Sequence, residues 1–279
     1  MLFRSSFITI PTILGLNLVL GKGRILYFGQ EGAGLIVAYT MTLVWLQTHS
    51  LLLLLIFTSI AVVLLSMLFT FLAIRLDDDA FGIMSLALHL IMLALVLNWT
   101  SLTRGTLGIP GIQFFSMRLT TLQYVLLSGI VSALWMFLLH RFNQSPYGRA
   151  LDALAESNVH ASSIGIQQVP VTFIAFLFCG LGTLLTQFLF LSYTGLLHPS
   201  DYQYPSLVFL ILCITAGGPG RIRRVVLATI VLTFLKEGLR FMPLPTGMVG
   251  PLRLLLFGFI LLIAIYRGRR TLFPERRSL

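Results

Sequence analysis

The chain has 279 residues, of which 57% are hydrophobic and only 10% are charged, and its mean hydropathy is +0.95. A water-soluble domain of this length could not bury so much apolar surface in one core, so the surrounding solvent must be lipid. The formal net charge of +10 does not indicate nucleic-acid binding, because the basic residues stand at the ends of hydrophobic runs, where they set membrane orientation.

Continuous apolar runs of about 20 residues, the length that crosses a bilayer as a helix, recur along the chain. The runs do not alternate in polarity, which disfavours a closed β-barrel. The sequence therefore predicts an all-α, polytopic helix bundle that forms a single transmembrane domain over residues 1–279. The predicted spans are 6–20, 25–46, 51–74, 80–98, 120–140, 169–193, 204–216, 223–239 and 251–266.

Two of these spans need comment. No small-x-small cleavage pattern follows the first apolar run, so we expect a retained span rather than a signal peptide. The seventh run is short and ends in Gly217-Gly218-Pro219-Gly220, which is typical of a half-length or re-entrant segment. The count is thus eight or nine spans, depending on whether this segment crosses the membrane.

The distribution of basic residues predicts the orientation. With nine alternating spans, 13 of the 19 Lys and Arg residues fall on one side, which the positive-inside rule assigns to the cytoplasm. This assignment places the N-terminus outside. It places the polar segment 141–168 and the basic tail 267–279 in the cytoplasm.

Five of the polar side chains within predicted spans are functional candidates, because an ionised group there costs roughly 2.5–3.5 kcal/mol on insertion scales. Each of them either packs helices together or lines a pathway, and we expect Glu31 near the membrane interface. The candidates are Asn17, Gln30, Glu31, His89 and Gln187.

The segment 98–112 falls on the predicted outer side, and its glycines and proline exclude a continuous helix. It is either an ordinary loop or an ordered outer gate that docks a soluble partner. The residues that would form this gate are Thr103, Gly105, Gly108, Pro110 and Gly111.

The polar segment 141–168 reads as a short soluble helix between two long spans. Ser145-Pro146 is a helix start, and Leu151 and Leu154 form an apolar stripe. A helix this short is marginal in water, so it needs a surface, either the chain's own cytoplasmic face or a partner's groove.

Other motifs lack the context for chemistry. The Gly21-Lys22-Gly23 run has neither the spacing nor the strand of a phosphate loop, so we expect no ATP site. Asp77–Asp79 have no second acidic cluster to help hold magnesium, as a membrane transferase would require. Cys179 and Cys213 lie in apolar runs without metal-binding spacing. We expect no catalytic residue, metal or cofactor.

The run SPYGRALDALAESNVHASSIGI resembles the coupling segment of ABC-transporter inner-membrane permeases of the branched-chain amino acid (high-affinity) uptake family. Other similar stretches follow in the family's order, among them LGLNLVLG at 14–21, LTRGTLGIPGI at 102–112 and ITAGGPG at 214–220. Asp152 and Ala155 depart from the usual run, which has basic residues at both positions.

The resemblance implies a permease without enzymatic activity in the bacterial inner membrane. Its expected partners are ABC ATPase subunits, a homologous permease subunit, a soluble solute-binding protein and membrane lipid. The residues expected to couple to the ATPase are Tyr147, Gly148, Arg149, Leu151, Leu154, Glu156 and Gly165. Branched-chain amino acids are the leading cargo and urea or short amides the next. A self-sufficient proton-coupled carrier that uses Glu31 or His89 is the alternative from another class.

Overall fold

A computed structural model describes residues 2–114 and 120–238, together with residues 255, 258 and 259. The chain folds as a helical bundle with almost no sheet. Its helices are α1 (Leu2–Leu16), α2 (Gln30–Thr48), α3 (Leu51–Arg75), α4 (Asp78–Asn98), α5 (Thr100–Thr103), α6 (Thr121–Gln144), α7 (Pro146–Glu156), α8 (Asn158–Ser163), α9 (Gln168–Thr194), α10 (Tyr204–Gly217) and α11 (Ile222–Gly238). A π-helical turn, Asn17–Lys22, extends α1, and 3₁₀ turns occupy Gly105–Leu107 and Pro199–Tyr202. The strands β1 (Ile109–Pro110) and β2 (Leu196–Leu197) pair antiparallel.

The long helices follow from unbroken apolar runs that end in capping residues. Ser50 caps α3 by accepting a hydrogen bond from the Leu53 backbone N–H, and Thr120 and Gln123 form a reciprocal capping box on α6. Four of the described helices, α3, α4, α6 and α9, are long and apolar enough to cross a membrane, and Ser6–Lys22 and Tyr204–Gly217 are shorter apolar helices. The protein is therefore a multi-pass membrane protein.

The bundle is arranged around α9, which packs against α1, α2 and α3. Helices α1 and α9 run antiparallel at close range, since a Cβ added to Gly15 would lie 2.9 Å from Cys179 Cα. Small residues at such crossings let helices approach without a bulky side chain between them. In contrast, α3, α4 and α6 expose large apolar side chains such as Leu52, Ile83 and Leu122, as a lipid-facing surface requires.

The helices coincide with the first eight predicted spans, except where the second span begins. It begins at Gln30 rather than at residue 25, because residues 24–29 form a non-helical segment inside the bundle. A Cβ on Gly29 would meet the ring of Phe69, so only glycine fits where this segment turns into α2. The predicted ninth span, 251–266, and the basic tail lie outside the described residues, apart from 255, 258 and 259.

The backbone hydrogen-bond pattern of α1 is interrupted at Pro11, because proline has no N–H to donate to the Phe7 carbonyl. The hydroxyl of Ser132 donates to that carbonyl instead. One residue further along, the Thr186 hydroxyl accepts from the Thr12 N–H at 3.1 Å and donates to the Ile8 carbonyl at 2.9 Å. A side chain of α9 thus replaces a helical hydrogen bond of α1, which is a recognised cause of helix bending.

Candidate functional site: a polar cavity and a surface helix pair

We call the end of the bundle that carries α7 and α8 the inner end and the opposite end the outer end, following the charge distribution. A cavity of about 350 Å³ lies between these ends. Its lining comes from α1, α2, α9, the 3₁₀ turn Pro199–Tyr202, α10 and α11. Cavities of roughly 300–1,000 Å³ hold small molecules in proteins, so this one accommodates a small solute.

The start of α2 places two polar residues in the cavity wall. Because the chain stays non-helical until Gly29, the first turn of α2 begins inside the bundle and carries Gln30 and Glu31. Gln30 is buried, donates to the Thr183 hydroxyl, and accepts a hydrogen bond from the Cys179 thiol at 3.0 Å. These bonds fix the entry of α2 against α9.

Toward the inner end, an aromatic cluster closes the space beside Gln30. Tyr27 packs edge-on against Phe69 and Phe176, with ring centroids 4.7 and 5.1 Å away, and stacks with Phe81. All four rings are buried. We call these four residues the aromatic layer. Toward the outer end the cavity reaches exposed residues, Ser200 and Asp201.

The cavity wall also carries charge. Glu31, Asp201 and Lys236 line it, and the Lys236 Nζ lies 4.8 Å from the centroid of the Phe209 ring. Partial desolvation raises the pKa of the Asp201 carboxyl, whereas the neighbouring His198 and Lys236 act in the opposite direction. On the facing side, the Tyr202 hydroxyl donates to Gln187 Oε1 at 2.6 Å.

The five polar candidates from the predicted spans lie in different places in the structure. Gln30, Glu31 and Gln187 line the cavity. Asn17 instead accepts a hydrogen bond from the Gly220 N–H at 2.9 Å, joining the π-helical turn to the glycine-rich turn after α10. His89 is buried against Gly32 of α2, and its ring nitrogens have no hydrogen-bond partner among the described residues.

Helix α7 begins where the sequence predicts, with the Ser145 hydroxyl accepting from the Gly148 N–H at 3.2 Å and Pro146 in the first turn. Its apolar stripe faces the bundle, since Leu151 and Leu154 are buried in the chain's own core. Of the two docking surfaces considered from the sequence, the chain's own face is therefore the one used by this stripe. Gly148 is also buried, because a Cβ there would meet the Phe142 carbonyl.

The opposite side of the α7–α8 pair is exposed. Tyr147, Arg149 and Glu156 point away from the core, and Gly165 ends the segment with a positive φ of 86°. Val159 and Ile164 are also exposed, at 79% and 74%, although both are apolar. This side is available for contact with another molecule.

One ion pair ties α7 to the end of the first span. The Lys22 ammonium lies 3.3 Å from the Asp152 carboxylate and donates to the Asn143 carbonyl at 3.2 Å. Asp152 is one of the positions at which the sequence departs from the usual coupling run. Lys22 therefore connects α1, the end of α6 and α7.

At the outer end, the segment that follows α4 is ordered against the end of α9. Ile109 and Pro110 pair with Leu197 and Leu196, and the Ile112 N–H donates to the Gly195 carbonyl at 3.0 Å. Gly105, Gly108 and Gly111 all have positive φ, which glycine adopts without strain. Thr103 is buried and caps the preceding turn by donating to the Trp99 carbonyl at 2.8 Å.

The sequence was compared with the models of known protein families. The model of the family described as "Branched-chain amino acid transport system / permease component" matches residues 1–265. The chain belongs to this family.

Two curated relatives of the permease are similar over most of its length. It is 26% identical over 258 residues to the high-affinity branched-chain amino acid transport system permease protein LivM of Salmonella typhimurium, and 26% identical over 262 residues to LivM of Escherichia coli. Each alignment covers 81% of this chain, and the chain spans about 60% of the length of each relative. No solved structure matches the permease.

The family is one of transport permeases rather than enzymes. The acidic triplet has a structural place, because Asp78 and Asp79 lie exposed in the first turn of α4, where carboxylates stabilise a helix N-terminus. Among the described residues, no group of three or more His, Cys, Asp or Glu side chains is placed to hold a metal ion.

Proposed function

We propose that this permease is the membrane-spanning subunit of an ATP-binding-cassette importer in the bacterial cytoplasmic membrane, and that it provides the path for a small polar solute. The observation that carries the proposal is the cavity of about 350 Å³, which has polar and charged walls inside an otherwise apolar bundle. The names of the relatives make branched-chain amino acids the first solutes to test, with urea and short amides next.

In this function the permease does no covalent chemistry and alternates between two arrangements of one bundle formed by residues 1–279. Separate ATPase subunits shift that equilibrium through their different affinities for the two arrangements. They would grip the exposed side of α7–α8 through Tyr147, Arg149 and Glu156, while Leu151 and Leu154 hold α7 to the bundle. Gly148 would let α7 pack closely against the end of α6, and Gly165 would provide the positive φ at the end of the segment.

The remaining partners follow from the same proposal. A homologous permease subunit would complete the membrane domain, and a soluble solute-binding protein would dock at the outer end. The surface formed by the segment from Thr103 to Gly111 is the proposed outer contact. Its pairing with β2 holds it beside the cavity entrance.

The test is the ATPase activity of the intact complex in liposomes. We expect Arg149→Ala and Glu156→Ala each to lower solute-stimulated ATP hydrolysis about tenfold, the effect of losing one interface contact worth about 1.4 kcal/mol. Gly148 is unsuitable because any side chain there collides with Phe142. Arg75→Ala, at an exposed arginine of α3, is the matched control.

Two outcomes would contradict the proposal: purification of the chain from native membranes without an ATPase subunit, and unchanged stimulation in both variants. Glu31 at the cavity wall supports the rival function of a proton-coupled carrier. That rival predicts uptake driven by a proton gradient with the purified chain alone. His89, the other relay residue considered from the sequence, does not line the cavity.

A further inference from the structure

The walls of the cavity carry more negative than positive formal charge. Among its described lining residues, Glu31 and Asp201 are acidic and Lys236 is basic. All three line the same cavity of about 350 Å³. Two carboxylates thus line the cavity with one ammonium group, Glu31 partly buried and Asp201 exposed at the outer end.

His198 lies near Asp201 but is not among the described residues that line the cavity. Its Nδ1 lies 2.6 Å from the Ser200 hydroxyl and 3.2 Å from the Ser200 backbone nitrogen. Among the described lining residues, acidic groups therefore outnumber basic groups by one.

The uncharged part of the wall contains a second sign of a ligand. Thr12 lines the cavity and is only 6% exposed. Its hydroxyl is buried and has no hydrogen-bond partner among the described residues. Buried hydroxyls in folded proteins are nearly always hydrogen-bonded. Apolar side chains, Phe190 and Leu210, complete the wall and can contact the aliphatic part of a solute.

We propose that the cavity selects solutes of net positive charge that carry a carboxylate and two amino groups, as basic amino acids do. This specificity rests on the proposed function. The carboxylate of the solute would meet Lys236, which the Phe209 ring holds against the wall at 4.8 Å. Its two amino groups would meet Glu31 and Asp201. A neutral zwitterion leaves one wall carboxylate unpaired, and an uncharged amide leaves all three charged groups without a solute partner.

The test is equilibrium binding to the purified permease complex in lipid nanodiscs without the solute-binding protein, so that only the membrane cavity discriminates. The probes are radiolabelled L-lysine, L-leucine and urea. We expect L-lysine to bind at least tenfold more tightly than L-leucine, since charge-assisted hydrogen bonds are the stronger class. Urea should bind weakest.

Three substitutions and a control locate the effect. Glu31→Gln and Asp201→Asn should each weaken L-lysine binding about tenfold while changing L-leucine binding less. Lys236→Gln should have the opposite selectivity and favour 1,5-diaminopentane, which has no carboxylate, over L-lysine. Asp78→Asn removes an exposed carboxylate on α4, away from the cavity, and should leave binding unchanged.

The proposal is overturned if L-leucine binds as tightly as L-lysine, if no L-lysine binding is measurable, or if Glu31→Gln and Asp201→Asn leave the preference intact in correctly folded complexes. Because the assay measures binding without ATP hydrolysis, these results are distinct from failure of the ATPase test. A complex that couples normally but prefers L-leucine would refute the specificity alone.

Discussion

The hydroxyl of Thr186 bridges two backbone groups of α1 that Pro11 leaves without a regular helical ladder. Thr186→Val keeps the shape of the side chain but leaves the Thr12 N–H and the Ile8 carbonyl unpaired. We expect a loss of about 1–2 kcal/mol in the free energy of unfolding, because few alternative partners exist in an apolar interior. Thermal unfolding in detergent measures it. Thr194→Val, at the exposed end of the same helix, should change little, and equal melting temperatures for both variants would contradict the bridge.

At the residue scale, the polarity of residues within apolar runs predicted only some of the side chains that line the cavity. Gln30, Glu31 and Gln187 were recognisable because polar groups inside apolar runs are costly. The same argument selected Asn17, which instead holds a backbone turn. It missed Lys236, which lies near the end of the predicted span 223–239 and resembles an orientation signal. Which polar residues meet depends on helix rotation and on contacts such as Gln30 with Thr183, separated by 153 positions.

At the scale of elements, the Lys22–Asp152 pair links the proposed ATPase-contacting helix to the span that lines the cavity. The carboxylate of Asp152 is 57% exposed, so the pair contributes little to stability. Its expected role is to transmit movement of α7 to α1. Asp152→Lys should lower solute-stimulated ATP hydrolysis several-fold through like-charge repulsion, with the melting temperature nearly unchanged.

The exchange of both charges provides the control for that prediction. Lys22→Asp combined with Asp152→Lys restores an opposite-charge pair, and we expect it to recover part of the stimulated ATPase activity. Asp78→Lys makes the same charge change at another exposed inner position and should have no effect. If the double variant is as impaired as Asp152→Lys, the pair does not act as a link.

For the whole molecule, the run of apolar segments was sufficient to predict a polytopic helical bundle, since only helices bury their own backbone groups in lipid. The second span was predicted to begin at residue 25, so the non-helical segment that extends to Gly29 was not predicted from composition. Residues 24–29 are apolar enough to continue a helix, yet they unwind where Gly29 passes beneath Phe69. That contact joins segments 40 positions apart by their residue numbers, so no local pattern in the sequence contains it.

The cavity differs in accessibility between its outer and inner ends, and cysteine labelling can detect this difference. The cavity reaches exposed residues at its outer end, whereas the buried aromatic layer of Tyr27, Phe69, Phe81 and Phe176 lies on its inner side. Both native cysteines are buried, so an introduced thiol can be followed against a low background. We expect Ser206→Cys, in the cavity wall, to react with a membrane-impermeant maleimide added from the outer side. Ser66→Cys, buried beside the aromatic layer, should not react. A reagent added from the inner side can reach Ser206→Cys only if the aromatic layer is open. Labelling from the inner side alone would therefore show that the resting protein is open toward the inner side, which contradicts this prediction.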